Sequence, residues 1–228
     1  MTANERLVSL RGMTDGGLVL FGDVIRSRND APAATAWLRG LVGELDRAYA
    51  GERLAPFGFT QGDELQGLLS PDADPLDAVL RAALREEPEP PEMRWVVAAG
   101  PLERGEGPAT ERTGPAFLTA RELSGLTRRR RDRLLVRSGD PATDALLDDV
   151  APLLGMLLAD LTDRQRLVGR LLVVDGLRQS EVADRLGIAR PTVSVVAERA
   201  HVRELERLRH AILSLLRTGI RRSAGLAA

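Results

Sequence analysis

Two glycines of residues 161–199, Gly176 and Gly187, divide the stretch into three apolar segments. Glycine readily adopts the left-handed conformation that ends a helix, so each segment is predicted to be a short helix. Ser180 is the expected N-cap of the second helix, and Pro191 fits the first turn of the third. The second segment carries three apolar residues at the spacing of one buried helix face: Val182, Ala183 and Leu186. Three helices joined in this way form a helix-turn-helix.

The third helix of such a motif lies in the major groove of DNA, where residues near its N-terminus meet base edges and phosphates. We therefore predict DNA contacts for the following residues: Arg178, Ser180, Arg190, Pro191, Thr192, Ser194, Val195 and Arg199. Val193, Val196 and Ala200 are expected to pack inward. The alternative is a helical hairpin unrelated to DNA, since this turn is a general packing solution.

Charge is distributed unevenly along the chain. Residues 161–222 carry 13 Arg and 7 acidic residues, a net charge of +6, although the whole chain has a net charge of −1. A basic module of this kind suits neutralisation of DNA phosphates. The stretch resembles the helix-turn-helix of sigma-factor region four and of response-regulator output domains. That resemblance implies a DNA partner.

The length of 228 residues fits two domains with a connection between them. We place a first domain at residues 1–139, a connecting helix at 140–160 and the helix-turn-helix with a C-terminal helix at 161–228. The chain has no cysteine, no apolar run of membrane-spanning length and no signal-peptide pattern. We therefore expect a cytoplasmic protein without a membrane partner.

The first domain shows alternating strand and helix patterns. The predicted elements are a strand, a helix, two hairpin strands, a helix and a strand at residues 18–25, 33–49, 57–60, 65–69, 75–86 and 93–99. This β-α-β-β-α-β order is that of a ferredoxin-like fold, with the first and third strands side by side at the centre of an antiparallel sheet. The predicted fold class is α+β, followed by an all-α domain.

Three acidic residues are expected at one end of this sheet. Asp23 lies near the end of the first strand, and Asp63 and Glu64 lie in the hairpin that opens on its neighbour. Carboxylates in this arrangement, with the Val24 carbonyl, can hold Mg²⁺ against the phosphates of a nucleotide. In the alternative interpretation they are only polar groups of a turn and a strand end.

Three motifs in this region resemble those of the SatD family. They are GDVIRSR at residues 22–28, FTQGDELQG at 59–67 and GPAF at 114–117. More distantly, the Asp23 strand and the hairpin resemble the palm domain of class III nucleotidyl cyclases and of diguanylate cyclases. The palm resemblance implies a metal site at Asp23, the Val24 carbonyl and Asp63, with Glu64 beside them.

Further residues are predicted to bind the phosphates of a nucleotide: Arg26, Arg28, Gly62, Arg104 and Arg112. Arg26 and Arg28 are alternatively internal counter-ions of Asp63 and Glu64. The glycine-rich loop that carries Arg104 and Arg112 is alternatively a surface loop. The arginine run at residues 128–131 is interpreted as a solvated, charged end, and alternatively as a contact to DNA or a nucleotide.

The last predicted helix has an apolar seam at Leu205, Leu208, Ile212 and Leu215. The spacing fits pairing with a second subunit or packing on the same chain. A homodimer is expected because paired subunits read paired DNA half-sites.

The leading hypothesis is a DNA-binding transcriptional regulator whose cyclase-like domain senses a nucleotide or a cyclic dinucleotide. One alternative is an enzyme, a Mg²⁺-dependent nucleotidyl transferase or cyclase with a DNA-binding module. A further alternative makes the first domain a ligand-free dimerisation scaffold.

Overall fold

A five-stranded sheet lies at the centre of the computed structural model, which describes residues 13–25, 31–60, 64–86 and 91–225. The strands are β1 (Met13–Val24), β2 (Arg53–Phe59), β3 (Glu64–Leu69), β4 (Met93–Glu103) and β5 (Leu134–Arg137). Their order is β2-β3-β1-β4-β5. Neighbours among the first four strands are antiparallel, whereas β5 is parallel to β4.

Eight α-helices occur in the described residues. They are α1 (Ala31–Ala48), α2 (Pro75–Ala83), α3 (Pro115–Arg130), α4 (Pro141–Ala159), α5 (Asp163–Gly169), α6 (Gln179–Leu186), α7 (Arg190–Arg199) and α8 (Val202–Ser223). Side chains cap several of them: Asp74 accepts from the Leu76 N–H at 2.9 Å, and Asp140 accepts from the Thr143 N–H at 2.9 Å. These caps satisfy N–H groups that have no partner inside the helix.

The alternation of side chains along β1 supplies two separate cores. Leu18 and Leu20 face one side of the sheet, where they belong to a core shared with α1, α2, α4 and α8. Val19 and Phe21 face the other side, which α3 covers. Successive residues of a strand point to opposite faces, so one apolar strand serves both layers. Helices therefore cover both faces of the sheet.

Helix α8 packs back onto the first domain. Leu205, Ile212 and Leu216 are buried in the same core as the sheet. Gly219 allows a close crossing, because a Cβ there would lie 1.9 Å from the Ser138 Oγ. The apolar seam predicted from the sequence is thus covered within its own chain. The homodimer stays a prediction.

The α+β class predicted from the sequence is confirmed, and the predicted strands and helices of the first domain occur within a few residues of their expected bounds. The sheet is mixed, however, and not antiparallel throughout. The chain crosses from β4 through α3 to the parallel strand β5, and neither α3 nor β5 was predicted. The ferredoxin-like topology and the division into three segments stay predictions. None of the described helices is long and apolar enough to cross a membrane.

Tyr49 connects the end of α1 to the start of α2. Its hydroxyl donates to the Asp74 carbonyl at 2.6 Å and accepts from the Ala78 N–H at 2.9 Å. Burial, together with the negative charges of Asp77 and Asp74, raises the pKa of this phenol well above its usual value. The folded state therefore favours the neutral phenol.

We expect this phenol to make the protein less stable in alkali. Because its pKa is higher in the folded state, its contribution is complete below the unfolded pKa of about 10 and is lost as the pH rises through the folded value. Tyr49 is the sole tyrosine of the sequence, so phenolate absorbance reports on it alone. As the pH is raised, the absorbance of the phenolate should appear together with the loss of the circular dichroism signal of the folded protein. Phenolate in a fully folded protein near pH 10 would contradict this expectation.

Candidate functional site

The three helices α5, α6 and α7 surround a small apolar core. Helix α5 continues as a π-helical segment (Arg170–Val174) before the chain turns into α6. The buried members of the core are Val168, Leu171, Val182, Ala183, Val193 and Ala197. Gly176 and Gly187 have φ angles of +68° and +62°, the left-handed conformation predicted for them. Both turns therefore use glycine where a side chain would strain the backbone.

The start of α6 differs from its prediction. The helix begins at Gln179, and the carboxylate of Glu181 accepts from the Arg178 N–H at 2.6 Å. Arg178 is thus the N-cap residue, and Ser180 lies within the first turn. The prediction was wrong because Glu181 caps the helix from inside its first turn, so Ser180 is not needed as a cap.

The end of α7 also shows differences. Val193 is buried as predicted, but Val196 is only partly buried. Ala200 is buried in the core of the sheet and not in that of the three helices. The Gln165 side chain donates to the Arg199 carbonyl at 2.9 Å, which fastens the end of α7 to α5.

All eight residues predicted to contact DNA are exposed on this unit. They are Arg178, Ser180, Arg190, Pro191, Thr192, Ser194, Val195 and Arg199. The first turns of α7 are thus open to solvent, while the opposite side of the same helix is buried through Val193 and Ala197. This is the geometry that a recognition helix requires.

The arginines of this unit fall into two groups. Arg170 pairs with Glu44 of α1 at 2.6 Å, and Arg166 pairs with Asp163 at 2.5 Å. Among the residues that the structure describes, no ion pair involves the side chains of Arg178, Arg190 or Arg199. Their charges are therefore available to a phosphate.

The ion pair between Arg170 and Glu44 joins the three-helix unit to the first domain. Both side chains are only 16% exposed. Arg170 also donates to the Arg81 carbonyl at 3.4 Å, and Leu84 packs against Gly169. Because α8 leaves the unit and packs on α4, in the same core as the sheet, the unit is attached to the rest of the chain at both of its ends.

The second predicted site lies at the end of β1. Asp23 is 7% exposed and lies opposite Glu64 in the ladder between β1 and β3. The Asp23 carboxylate accepts from the Arg128 Nη2 at 2.9 Å and from its Nε at 3.2 Å, and Arg94 lies 3.6 Å away. Glu64 accepts from the Gln66 amide at 2.7 Å. The structure thus pairs Asp23 with arginines.

This arrangement does not fit the predicted Mg²⁺ site, because both oxygens of Asp23 already accept hydrogen bonds from Arg128. No cluster of three or more metal-ligating side chains occurs among the described residues. Val24 is paired with Met93 in the ladder between β1 and β4. Asp63 lies outside the described residues, and the Mg²⁺ site as a whole stays a prediction.

The predicted nucleotide-binding residues are spread over several segments. Arg26, Arg28 and Gly62 lie outside the described residues. Arg104 is exposed, and Arg112 is half-buried against Gly105. The described contacts of Asp23 are with Arg94 and Arg128, and not with either of these loop arginines. Nucleotide binding stays a prediction.

Sequence reasoning did not identify the arginine partners of Asp23. The run at residues 128–131 was interpreted as a solvated end, but Arg128 pairs with Asp23 and Arg130 lies 3.5 Å from Asp148. Asp23 and Arg128 are 105 positions apart in the chain. No local pattern indicates a pair at such a separation.

Comparison with known proteins does not assign a family. No family model matches the chain, and neither does any curated protein. The chain is similar to the crystal structure of a regulator of polyketide synthase expression from Bifidobacterium adolescentis, with 16% identity over 96% of this chain and 86% of that chain. The TM-score is only 0.26. The resemblance to SatD proteins therefore stays an expectation from three motifs.

We expect Asp23→Asn to destabilise the fold. The substitution removes a charge that pairs with Arg128, and a hydrogen bond to a charged group contributes about 1.5–3 kcal/mol. In urea unfolding, the free energy of unfolding of Asp23→Asn should fall by this amount. Glu122→Gln, at an exposed position of α3, should leave the free energy of unfolding nearly unchanged. Mg²⁺ should leave the wild-type midpoint unchanged. A Mg²⁺-dependent rise that Asp23→Asn abolishes would instead support the metal site.

Proposed function

We propose that this protein is a DNA-binding regulator of transcription in which α7 lies in the major groove. The observation that carries the proposal is the two-sided character of α7. Its inner side is fixed by a buried core, and its outer side exposes polar residues and arginines that have no ion-pair partner in the described part of the chain. Such a helix presents side chains to base edges from a rigid base.

The exposed residues divide by the contacts that they suit. Arg178, Arg190 and Arg199 suit phosphates, because a guanidinium group can donate two hydrogen bonds to one phosphate. Thr192 and Ser194 are short and lie in the first turns of α7, so they suit base edges. We expect the arginines to set affinity and the two hydroxyl residues to set sequence preference.

The finer part of the proposal concerns the first domain. We propose that it senses a nucleotide or a cyclic dinucleotide, and that two copies read paired half-sites. The motifs around Asp23 and residues 59–67 support this sensor role. The pair between Asp23 and Arg128 means that a ligand at Asp23 must either bind both groups or displace one. A ligand alters DNA binding only if it favours one arrangement of the two domains.

We expect Arg190→Gln and Thr192→Ala to affect DNA binding in different ways. The arginine variant should bind a random-sequence duplex more weakly and reduce the slope of log K against log salt by about one. The threonine variant should keep that slope but select different sequences from a random duplex library. Fluorescence anisotropy over about 50–200 mM salt measures the first effect.

The control is Arg121→Gln, which removes one charge from an exposed position of α3. It should leave both affinity and slope nearly unchanged. Wild-type binding that does not depend on salt, or no binding to any duplex, would show that the helix-turn-helix does not bind DNA.

A further inference from the structure

A row of basic side chains follows the exposed side of α8 along nearly its whole length. We call these residues the basic stripe: Arg203, Arg207, His210, Arg217 and Arg221, each of them exposed. They recur three, four or seven positions apart, which places side chains along one side of a helix. The stripe lies opposite the buried face of α8, formed by Leu205, Ile212 and Leu216.

Acidic residues are absent from most of this helix. No Asp or Glu follows Glu206 in the sequence, although the whole chain has 33 acidic and 32 basic residues. Glu204 and Glu206 occupy only the first turns of α8. From Arg207 to the end of the helix, the row carries no acidic residue, and such a row of one sign creates a local field that attracts a polyanion.

The arginines of α8 outside the stripe are occupied. Arg209 donates to Asp74 at 2.6 Å, and Arg222 lies 3.7 Å from Asp140. In the stripe, Arg217 donates to a backbone carbonyl. The other three arginines of the stripe form no ion pair with any residue that the structure describes. The unpaired charges therefore lie on the solvent side.

The stripe begins beside the proposed recognition helix. Ser194 and Glu198 of α7 line the same surface groove as Arg203 and Glu206 of α8. Only two residues separate α7 from α8. Three acids, Glu198, Glu204 and Glu206, lie at the groove, and the stripe extends from Arg203 toward the acid-free end of α8. The exposed sides of the two helices are thus continuous.

We propose that the basic stripe is a second DNA-contacting surface, which binds duplex phosphates beside the segment that α7 reads. The inference rests on the proposed function. From Arg203 to Arg221 the helix extends over about 27 Å, at 1.5 Å per residue. Duplex DNA carries one charge per about 1.7 Å of axis, so several phosphates lie within this length. Phosphate contacts add affinity and lengthen the footprint without reading sequence.

The test is the full-length variant R203Q/R207Q/R221Q. The matched control, R39Q/R121Q/R129Q, removes the same charge from exposed positions of α1 and α3. Each protein is titrated with a random-sequence duplex over a salt series, and circular dichroism reports that it is folded. We expect the stripe variant to bind about tenfold or more weakly at about 0.15 M salt and to reduce the salt slope by about two to three. The control should change affinity by about twofold or less.

Three results would overturn the inference, and they are distinguishable. An unchanged affinity and slope in the stripe variant, while Arg190→Gln still weakens binding, would overturn the stripe and keep the proposed function. If the stripe variant loses binding only to duplex RNA or to phosphatidylglycerol vesicles, and keeps its binding to duplex DNA, the stripe binds another polyanion. Wild-type protein that fails to bind any duplex DNA would overturn both proposals.

Discussion

The packing of α8 against α4, in the core that both share with the sheet, is the interaction on which the position of the three-helix unit depends. Leu205 and Ile212 share a core with Leu18 of the central strand, so the last helix is fixed to the core of the sheet. At its other end, the three-helix unit is fixed by the ion pair between Arg170 and Glu44. Attachment at both ends gives α7 one defined orientation, in which its polar side faces solvent. A unit on a single loose linker would have no such orientation.

Arginine serves two purposes in this chain: it pairs with carboxylates, and on the outer sides of α7 and α8 it stays hydrated. The half-buried guanidinium groups, such as Arg137, Arg170 and Arg209, each have a carboxylate partner. A charge that loses water needs such compensation. Asp148 shows the result: although desolvation alone would raise its pKa, hydrogen bonding to Arg137 and the charge of Arg130 lower it. On the outer sides of α7 and α8, hydration replaces the partner and leaves the charge available for recognition.

What the sequence could predict follows from the range of each interaction. Gly187 and the apolar face of α6 act within a few residues, so the turn and the small core were predictable. The strand β5 was missed because a three-residue apolar run after an arginine-rich helix has no period of its own. The pair of Asp23 with Arg128 was missed because only the folded sheet brings these residues together. For the same reason, the apolar seam of α8 predicted a partner but not which one.

The contacts around Asp23 also determine how the first domain can influence α7. Arg128 lies in the last turn of α3, where Arg130 approaches Asp148 of α4, and α4 packs along α8. A ligand that displaced Arg128 from Asp23 would therefore act first on the end of α3 and then on α4. From α4 the change would pass to α8 and to the three-helix unit. Coupling requires that the chain has two arrangements and that the ligand site and α7 each favour one of them. The end of α3 is where those two arrangements must differ in the proposed sensor, because it connects Asp23 to the helices that hold α7.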